Sequence, residues 1–217
     1  MSKSILRENA YGAILAAILD GRISPGTSLR EEKLAAELNV SRTPIREALR
    51  KLAGEGFIVY EPHRGARVLQ PTAELAREVF QIREGLEAIA AHEAATRLTS
   101  ESLAELRAHF NALRPRVKAG DLSDVGDGIH DAIFAACGNS RLIELMDVLR
   151  GQIRWLQTAA VAIPSRPARA FREHLRILAA LEKRDPAAAE AAIRAHIRGT
   201  LADLRNALPA PHCIQSE

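Results

Sequence analysis

The 217-residue sequence has few of the features that mark secreted or membrane proteins. It has only two cysteines, Cys137 and Cys213, which are far apart and form no C-x-x-C pair, so we expect a reduced, cytoplasmic protein. No apolar run reaches the roughly 18 residues of a membrane span, and residues 1–11 lack the apolar core of a signal peptide. Aromatic residues are only 4% of the chain while alanine is abundant, which favours packed helices over sheets.

Charge is distributed unevenly along the chain. Residues 1–70 hold 11 lysines and arginines against 8 acidic residues, whereas residues 71–217 hold 19 of each. The net charge of +3 therefore lies entirely in the first third. This is modest support for a nucleic-acid-binding face in that segment, although the segment is not strongly basic.

Residues 41–50, SRTPIREALR, read as a short amphipathic helix with its charge at the N-terminal end. Ser41 is predicted as the N-cap, with its hydroxyl accepting a free backbone N–H, and Pro44 fits within the first turn. The apolar face comprises Ile45, Ala48, Leu49 and Leu52. Arg42, Thr43 and Arg46 lie off that face, in a pattern that suits the major groove of DNA. The alternative is a solvated helix start with ordinary surface arginines.

The flanking sequence favours DNA binding. Helices are predicted over 5–19 and 30–38, and a tight turn at Asn39 separates the second from the helix that follows, which is the layout of a helix-turn-helix. Two β-prone runs at 57–60 and 67–69 then enclose a basic turn with His63 and Arg64 at its tip. We interpret this hairpin as a wing that reaches DNA; the alternative is a hairpin with a solvated tip.

Residues 23–68 resemble the DNA-binding domain of the GntR family of bacterial transcription regulators. The matching features are PG before the second helix, L-x-E-x-x-LA, VSRTP-[IV]-REAL, L-x-x-EG and RG-x-x-V. The resemblance implies that operator DNA is contacted by the start of the third helix and by the wing. The expected DNA-contacting set is Arg30, Ser41, Arg42, Thr43, Arg46, His63, Arg64 and Gly65.

Two positions depart from the family pattern. Some members use an arginine inside the second helix, where this chain has Glu32. The contribution of this helix to DNA contact is therefore expected to be small. Asn39 replaces the usual turn glycine, a change that is allowed because asparagine tolerates the left-handed conformation.

The predicted fold is mainly α, with a winged helix-turn-helix domain and small β-wing at 1–70, an all-helical bundle at 71–208 and a tail at 209–217. Pro71 stops the last strand and Thr72 is placed to cap the next helix. Six helices are predicted in the second part, over 73–98, 100–118, 122–136, 140–161, 168–183 and 186–208. On the first of them, the positions predicted to face inward are Leu75, Val79, Ile82, Leu86, Ile89 and Ala90.

Three histidines, His130, His174 and His196, fall on inward faces of three different helices. The turn between the last two helices centres on Asp185, with His174 eleven residues before it and His196 eleven after. In an antiparallel hairpin such residues stand at the same height, so the two imidazoles can converge. With His130 they would form a three-nitrogen corner for a metal ion. The alternative is a structural cluster of hydrogen-bonded histidines.

The helical part resembles the FCD (FadR C-terminal domain) effector domain found in one large GntR subfamily, within its six-helix VanR-like group. The matching patterns are H-x-x-I-x-x-A-x-G-N, R-x-x-x-x-x-E-H-x-x-I-x-x-A-L and D-x-x-A-A-x-x-A-I-x-x-H. The resemblance implies His130, His174 and His196 as ligands of a divalent ion such as zinc, nickel or manganese. It also implies a small organic acid as effector, bound at that ion.

The fourth ligand of the family, an Asp or Asn four residues before the first histidine, is replaced here by Gly126. Asp127 is three residues before His130 and would share a helix face with it, so we expect Asp127 to substitute.

Arg83 borders the inward face of the first long helix. It can form an ordinary i,i+4 ion pair with Glu87. It can also clamp an effector carboxylate with two hydrogen bonds, and the R-x-x-LE pattern resembles the ligand-facing arginine of the family. We favour the clamp.

These features together predict a cytoplasmic, ligand-responsive transcription regulator, most simply a repressor, that binds a palindromic operator as a homodimer. One alternative is a pure metal sensor, in which the ion itself is the signal. Another is a metal-dependent hydrolase fused to a winged helix, but the sequence offers no evident general base beside the histidines and no nucleophile motif. We therefore predict that the protein is not an enzyme.

Overall fold

The computed structural model describes residues 3–61, 65–118, 128–161, 163 and 166–210. The chain divides into two compact units, Met1–Pro71 and Thr72–Glu217. The first is helical with a small sheet, and the second is helical throughout its described residues. This confirms the predicted mainly α fold class, a winged helix-turn-helix followed by a helical bundle. Within the described residues no helix combines the length and apolarity required to cross a membrane.

The described residues of the first unit form three helices and three short strands. In chain order these are α1 (Lys3–Leu19), β1 (Ser28–Leu29), α2 (Glu31–Glu37), α3 (Arg42–Gly54), β2 (Ile58–Glu61) and β3 (Gly65–Val68). The strands pair antiparallel in the order β1-β3-β2, with Ile58 opposite Val68. Strand β1 was not predicted, because two residues inside a turn-rich connector carry no recognisable alternation. It extends the wing hairpin by one short strand.

The turn and the third helix follow the predicted pattern. Asn39 has φ 52, the left-handed conformation expected of it, and the four apolar residues predicted to face inward on α3 are all buried. Ser41 stands at the N-cap with extended backbone, but its side chain makes no capping hydrogen bond. The predicted hydroxyl cap is therefore wrong. Pro44 occupies the third helical position, so one of the two N–H groups that an N-cap side chain normally uses is missing.

The second unit comprises six helices among its described residues. They are α4 (Ala73–Arg97), α5 (Ser100–Lys118), α6 (Ile129–Ala136), α7 (Ser140–Val161), α8 (Arg166–Glu182) and α9 (Pro186–Ala207). Helix α4 is central and packs against α6, α7, α8 and α9. Thr72 caps α4 as predicted, accepting the Leu75 N–H at 3.2 Å. Asp185 caps α9 in the same way, accepting from Ala188 at 3.0 Å.

Two predictions for this unit are wrong. The third predicted helix begins at Ile129 instead of residue 122, with Gly128 at its N-cap in a positive-φ conformation (φ 97) that a helix cannot contain. Ile82 and Ile89, predicted to face inward on α4, are 53% and 51% exposed. The buried stripe of α4 lies about one residue further round and includes Arg83 and Glu87. An apolar pattern alone misses a stripe that contains charged side chains.

Candidate functional site

Three helices bring the three predicted histidines together inside the second unit. His130 lies in the first turn of α6, His174 on α8 and His196 on α9. The Nε2 atom of His174 is 3.3 Å from Nε2 of His130 and 3.4 Å from Nε2 of His196. One ligand atom from each residue lies within 4.8 Å of the other two. His174 and His196 are buried, and His130 is partly buried.

Two of these rings are hydrogen-bonded to carboxylates through their Nδ1 atoms, on the side away from the cluster. Nδ1 of His130 donates to Oε2 of Glu87 at 2.5 Å, and Nδ1 of His196 donates to Oε2 of Glu173 at 2.8 Å. A carboxylate on Nδ1 fixes the proton there and turns the lone pair of Nε2 to the opposite side of the ring. Both Nε2 lone pairs therefore point toward His174.

This donor set fits a divalent metal ion. A single N–H on Nε2 of His174 can donate well to only one of the two facing lone pairs, so hydrogen bonding among the rings leaves an acceptor unsatisfied. Nitrogens about 2.0–2.1 Å from a tetrahedral ion stand about 3.3 Å apart, close to the observed separations. Imidazoles backed by carboxylates are also the usual arrangement around protein-bound zinc.

Burial keeps His196 neutral. It lowers the pKa of His196 well below its usual range, and the neighbouring His130, Arg83 and Arg166 add to the effect. Neutral imidazole is the form that binds a metal ion, because its nitrogen lone pair is free. The environment of His196 thus favours its ligand form over its cationic form.

A second, outer set of residues orients Glu173. The buried Arg166 donates from two nitrogens to the two oxygens of Glu173, at 3.1 and 2.8 Å. It also donates to the hydroxyl of Thr200 on α9 at 2.5 Å. Sequence analysis missed Arg166, Glu173 and Thr200 as site residues. The only available signal was that Glu173 directly precedes His174 in a motif beginning at residue 166.

Arg83 lies in the same buried cluster, linked to the histidines through Glu87. Its Nε donates to Oε1 of Glu87 at 2.6 Å, so the i,i+4 pair considered as the alternative to the clamp does form. Its NH1 atom is buried and has no hydrogen-bond partner among the residues that the structure describes. Burial by itself would raise the pKa of Glu87, but Arg83 and His130 outweigh it and hold that pKa well below its usual range. Glu87 therefore stays ionised and links the arginine to the first histidine.

The proposed substitute ligand cannot be placed. Asp127 lies outside the described residues. Asp127 was expected to share one helix with His130, but α6 begins at Ile129 with Gly128 at its N-cap, and the role of Asp127 stays a prediction.

In the first unit, Arg42 and Arg46 are exposed at the start of α3, next to α2. Arg46 donates to both oxygens of Glu31, at 3.0 Å from Nε and 2.8 Å from NH2. NH2 of Arg42 is 3.0 Å from Oε1 of Glu32 and 3.4 Å from Oε2 of Glu31. The two arginines expected to contact DNA are thus paired with acidic residues of the preceding helix. This pairing was not predicted.

The other predicted DNA-contacting residues are placed as follows. Thr43 is exposed in the first turn of α3, Ser41 is exposed at its N-cap, and Arg30 is exposed at the N-cap of α2. Gly65 begins β3 and has φ 79, in the left-handed region that favours glycine. His63 and Arg64 lie outside the described residues.

Comparisons with known proteins agree with this architecture. Residues 6–68 match the model of bacterial regulatory proteins of the gntR family, and residues 78–199 match that of the FCD domain. The chain is 28% identical to the HTH-type transcriptional repressor RspR of Escherichia coli K12, covering 89% of this chain and 86% of that protein. It is 32% identical to the "Probable D-xylose utilization operon transcriptional repressor" of Paenarthrobacter nicotinovorans, covering 93% and 89%.

A solved structure is similar over the same length. It is described as a transcriptional regulator GntR from Rhodococcus sp. RHA1, with a TM-score of 0.74, 25% identity and coverage of 93% of this chain and 98% of that one. A gntR-type DNA-binding domain followed by an FCD domain is the make-up of a DNA-binding transcription regulator, not of an enzyme. The chain belongs to the GntR family of bacterial regulatory proteins and carries an FCD domain.

Proposed function

We propose that the protein is a transcriptional repressor whose operator affinity is changed by a small carboxylate bound at a histidine-coordinated divalent metal ion. The observation that carries the proposal is the convergence of three imidazole Nε2 atoms in a buried cluster that also contains Arg83. The repressor assignment follows the names of the relatives, which are repressors in two of the cases given above.

His130, His174 and His196 would hold the ion, which is zinc, nickel or manganese by donor type. When bound, the ion supplies a positive charge and open coordination positions that attract a carboxylate oxygen. Glu87 and Glu173 fix the orientation of His130 and His196 from behind. Three neutral ligands leave the ion with its full charge, which favours an anionic effector.

Arg83 provides the second contact for that effector. Its Nε is occupied by Glu87, while its NH1 has no partner in the described part of the chain. A buried guanidinium nitrogen without an acceptor is costly, and an anionic oxygen from the effector would satisfy it. The combination of a metal ion and Arg83 thus selects a small organic acid over a neutral ligand.

At the other end of the chain, Arg42, Thr43 and Arg46 on α3 would enter the major groove, with Arg30, Ser41, Gly65 and the wing residues His63 and Arg64 contacting the backbone. We infer a homodimer on a palindromic operator in the cytoplasm. Exposed apolar side chains on two neighbouring helices support a dimer contact: Ile82 and Ile89 on α4, and Leu145 and Val148 on α7. Effector binding then shifts the protein between two states of different operator affinity.

The test uses a duplex selected by the protein from a randomised library. Fluorescence anisotropy would measure its affinity in three conditions: with chelator, with each divalent metal, and with metal plus a panel of mono-, di- and tricarboxylates. We expect an effect of at least about 5-fold only when metal and a matching acid are both present. A full response to metal alone would favour the pure metal sensor. Unchanged affinity in all conditions would overturn the effector model.

The ligand assignment has a separate test. His174→Ala should reduce the bound metal, measured by elemental analysis of the purified protein, to below one tenth of the wild-type content. His109→Ala, a histidine outside the cluster, is the control and should keep full content. Full metal content in His174→Ala would show that the ligands are wrong, whatever the operator does.

A further inference from the structure

We propose that Glu32 sets the DNA affinity of this protein by competing with the DNA backbone for Arg42. The inference rests on the proposed function in one respect, that the arginines at the start of α3 contact DNA. It adds a residue that makes no favourable contact with DNA and is not part of the expected DNA-contacting set.

The geometry distinguishes Glu31 from Glu32, the two acidic residues in the first turn of α2. The side chain of Glu31 is only 21% exposed and accepts hydrogen bonds from Nε and NH2 of Arg46, at 3.0 and 2.8 Å, and a longer one of 3.4 Å from Arg42. That contact fixes the plane of the Arg46 guanidinium, as a support for base recognition would. The side chain of Glu32 is 68% exposed, and among the described residues its one ion-pair contact is with the NH2 atom of Arg42, at 3.0 Å.

The Glu32–Arg42 pair is of the kind that exchanges readily. Arg42 is itself 56% exposed, and ion pairs between exposed side chains contribute little to stability because water screens them. A DNA phosphate is a stronger partner for arginine, because it is part of a continuous polyanion whose counterions are released on binding. Arg42 would therefore leave Glu32 when DNA binds.

The exchange still has a cost that depends on Glu32. The bound state loses the ion pair, and the carboxylate remains beside the phosphates, where like charges repel. Both effects oppose binding to any duplex, whatever its sequence. Glu32 thus lowers affinity for operator and for unrelated DNA by similar factors, and its carboxylate lowers by about one the net positive charge that each protomer brings to the phosphates.

The test is Glu32→Gln in the full-length protein, with Glu37→Gln as the matched control. Glu37 is also exposed on α2 and pairs with Lys33 at 3.8 Å, so its variant removes the same charge from the same helix without contacting Arg42. Affinity would be measured by fluorescence anisotropy at KCl concentrations from roughly 50 to 300 mM, which gives its dependence on salt. The probes are the selected duplex and a scrambled duplex of equal length.

We expect Glu32→Gln to tighten binding of both duplexes about 3- to 10-fold at low salt. The slope of log affinity against log salt should steepen by about 0.9 per protomer. Glu37→Gln should change either quantity by less than about 2-fold. In an Arg42→Ala background, Glu32→Gln should have no more effect than Glu37→Gln.

Three results would contradict the proposal. Unchanged affinity in Glu32→Gln would show that Arg42 is not held back, and weaker binding would show that Glu32 assists DNA contact. An equal effect of Glu32→Gln with and without Arg42 would show a general charge effect. If Arg42→Ala alone left DNA affinity unchanged, the proposed DNA-contacting set would be wrong, which is a different failure.

Discussion

Arg83 illustrates how a single side chain can serve two partners in a buried site. Its Nε holds Glu87, which in turn holds Nδ1 of His130, so the arginine is connected to the histidine cluster through one carboxylate. Its guanidinium also lies 5.1 Å from the ring centroid of Phe80, which restricts its position. Under the proposed function, its NH1, which has no partner among the described residues, would meet an effector anion.

Replacing Arg83 should therefore weaken effector binding and leave metal binding intact. Arg83→Lys keeps the positive charge beside Glu87 but loses the planar fork, so we expect the affinity for the responding carboxylate to fall about 10-fold or more. Isothermal titration of the metal-loaded protein measures this, and elemental analysis checks the metal. Arg77→Lys, at an exposed ion pair on the same helix, is the control. Unchanged carboxylate affinity in Arg83→Lys would remove the arginine from the site.

At this scale the sequence predicts the histidines better than their supports. The position of Asp185 midway between His174 and His196 was enough to predict that these two rings converge, and the structure places them in contact. Glu173 and Arg166 have no such signal, because charged residues on a helix usually face solvent. Only their burial beside His196 distinguishes them from the many exposed ion pairs of this chain.

Helix α4 is the element on which the second unit is organised. One side carries the buried stripe with Arg83 and Glu87, while Ile82 and Ile89 are exposed on another. The prediction of inward-facing residues failed here because an apolar stripe was assumed to mark the core. In this helix much of the core contact is made by small alanines, such as Ala91 and Ala94, which let neighbouring helices approach closely.

The exposed isoleucines of α4 should matter for assembly. Exposed apolar side chains on neighbouring helices are typical of interfaces, and a charge at their centre opposes burial. We expect Ile82→Glu combined with Ile89→Glu to shift a dimer toward monomer by at least about 10-fold in dissociation constant, measured by sedimentation velocity. Gln81→Glu, also exposed on α4, should leave the equilibrium unchanged. A dimer of unaltered strength in the double variant would place the interface elsewhere.

For the molecule as a whole, metal binding should stabilise one unit selectively. The three histidines come from three helices of Thr72–Glu217, so an ion that joins them binds only when that unit is folded. An ion at about 100 times its dissociation constant adds roughly 2.7 kcal/mol to the free energy of unfolding. Calorimetry should show the unfolding transition of this unit move up by several degrees with metal and return with chelator.

The winged helix-turn-helix unit contains no part of that cluster, and its transition should not move. A variant with His130, His174 and His196 all replaced by alanine should lose the shift. A metal-induced shift that survives in this variant would mean that the stabilising site lies elsewhere in the chain.

The fold class of both units was predictable from helical periodicity and turn residues, because these depend on local pattern. The boundaries of α6 and the existence of β1 depend on tertiary contacts.

The two faces of α4 also have a genetic consequence. If its outer side forms the proposed dimer contact, a substitution that repacks this side would also move the backbone that holds Arg83 and Glu87, so the choice of subunit partner and the choice of effector would not change independently. A lineage that diverges to recognise a new acid would be expected to acquire changes on both sides of this helix together. Paralogues that share a cell could thereby become unable to mix subunits as a by-product of acquiring different signals.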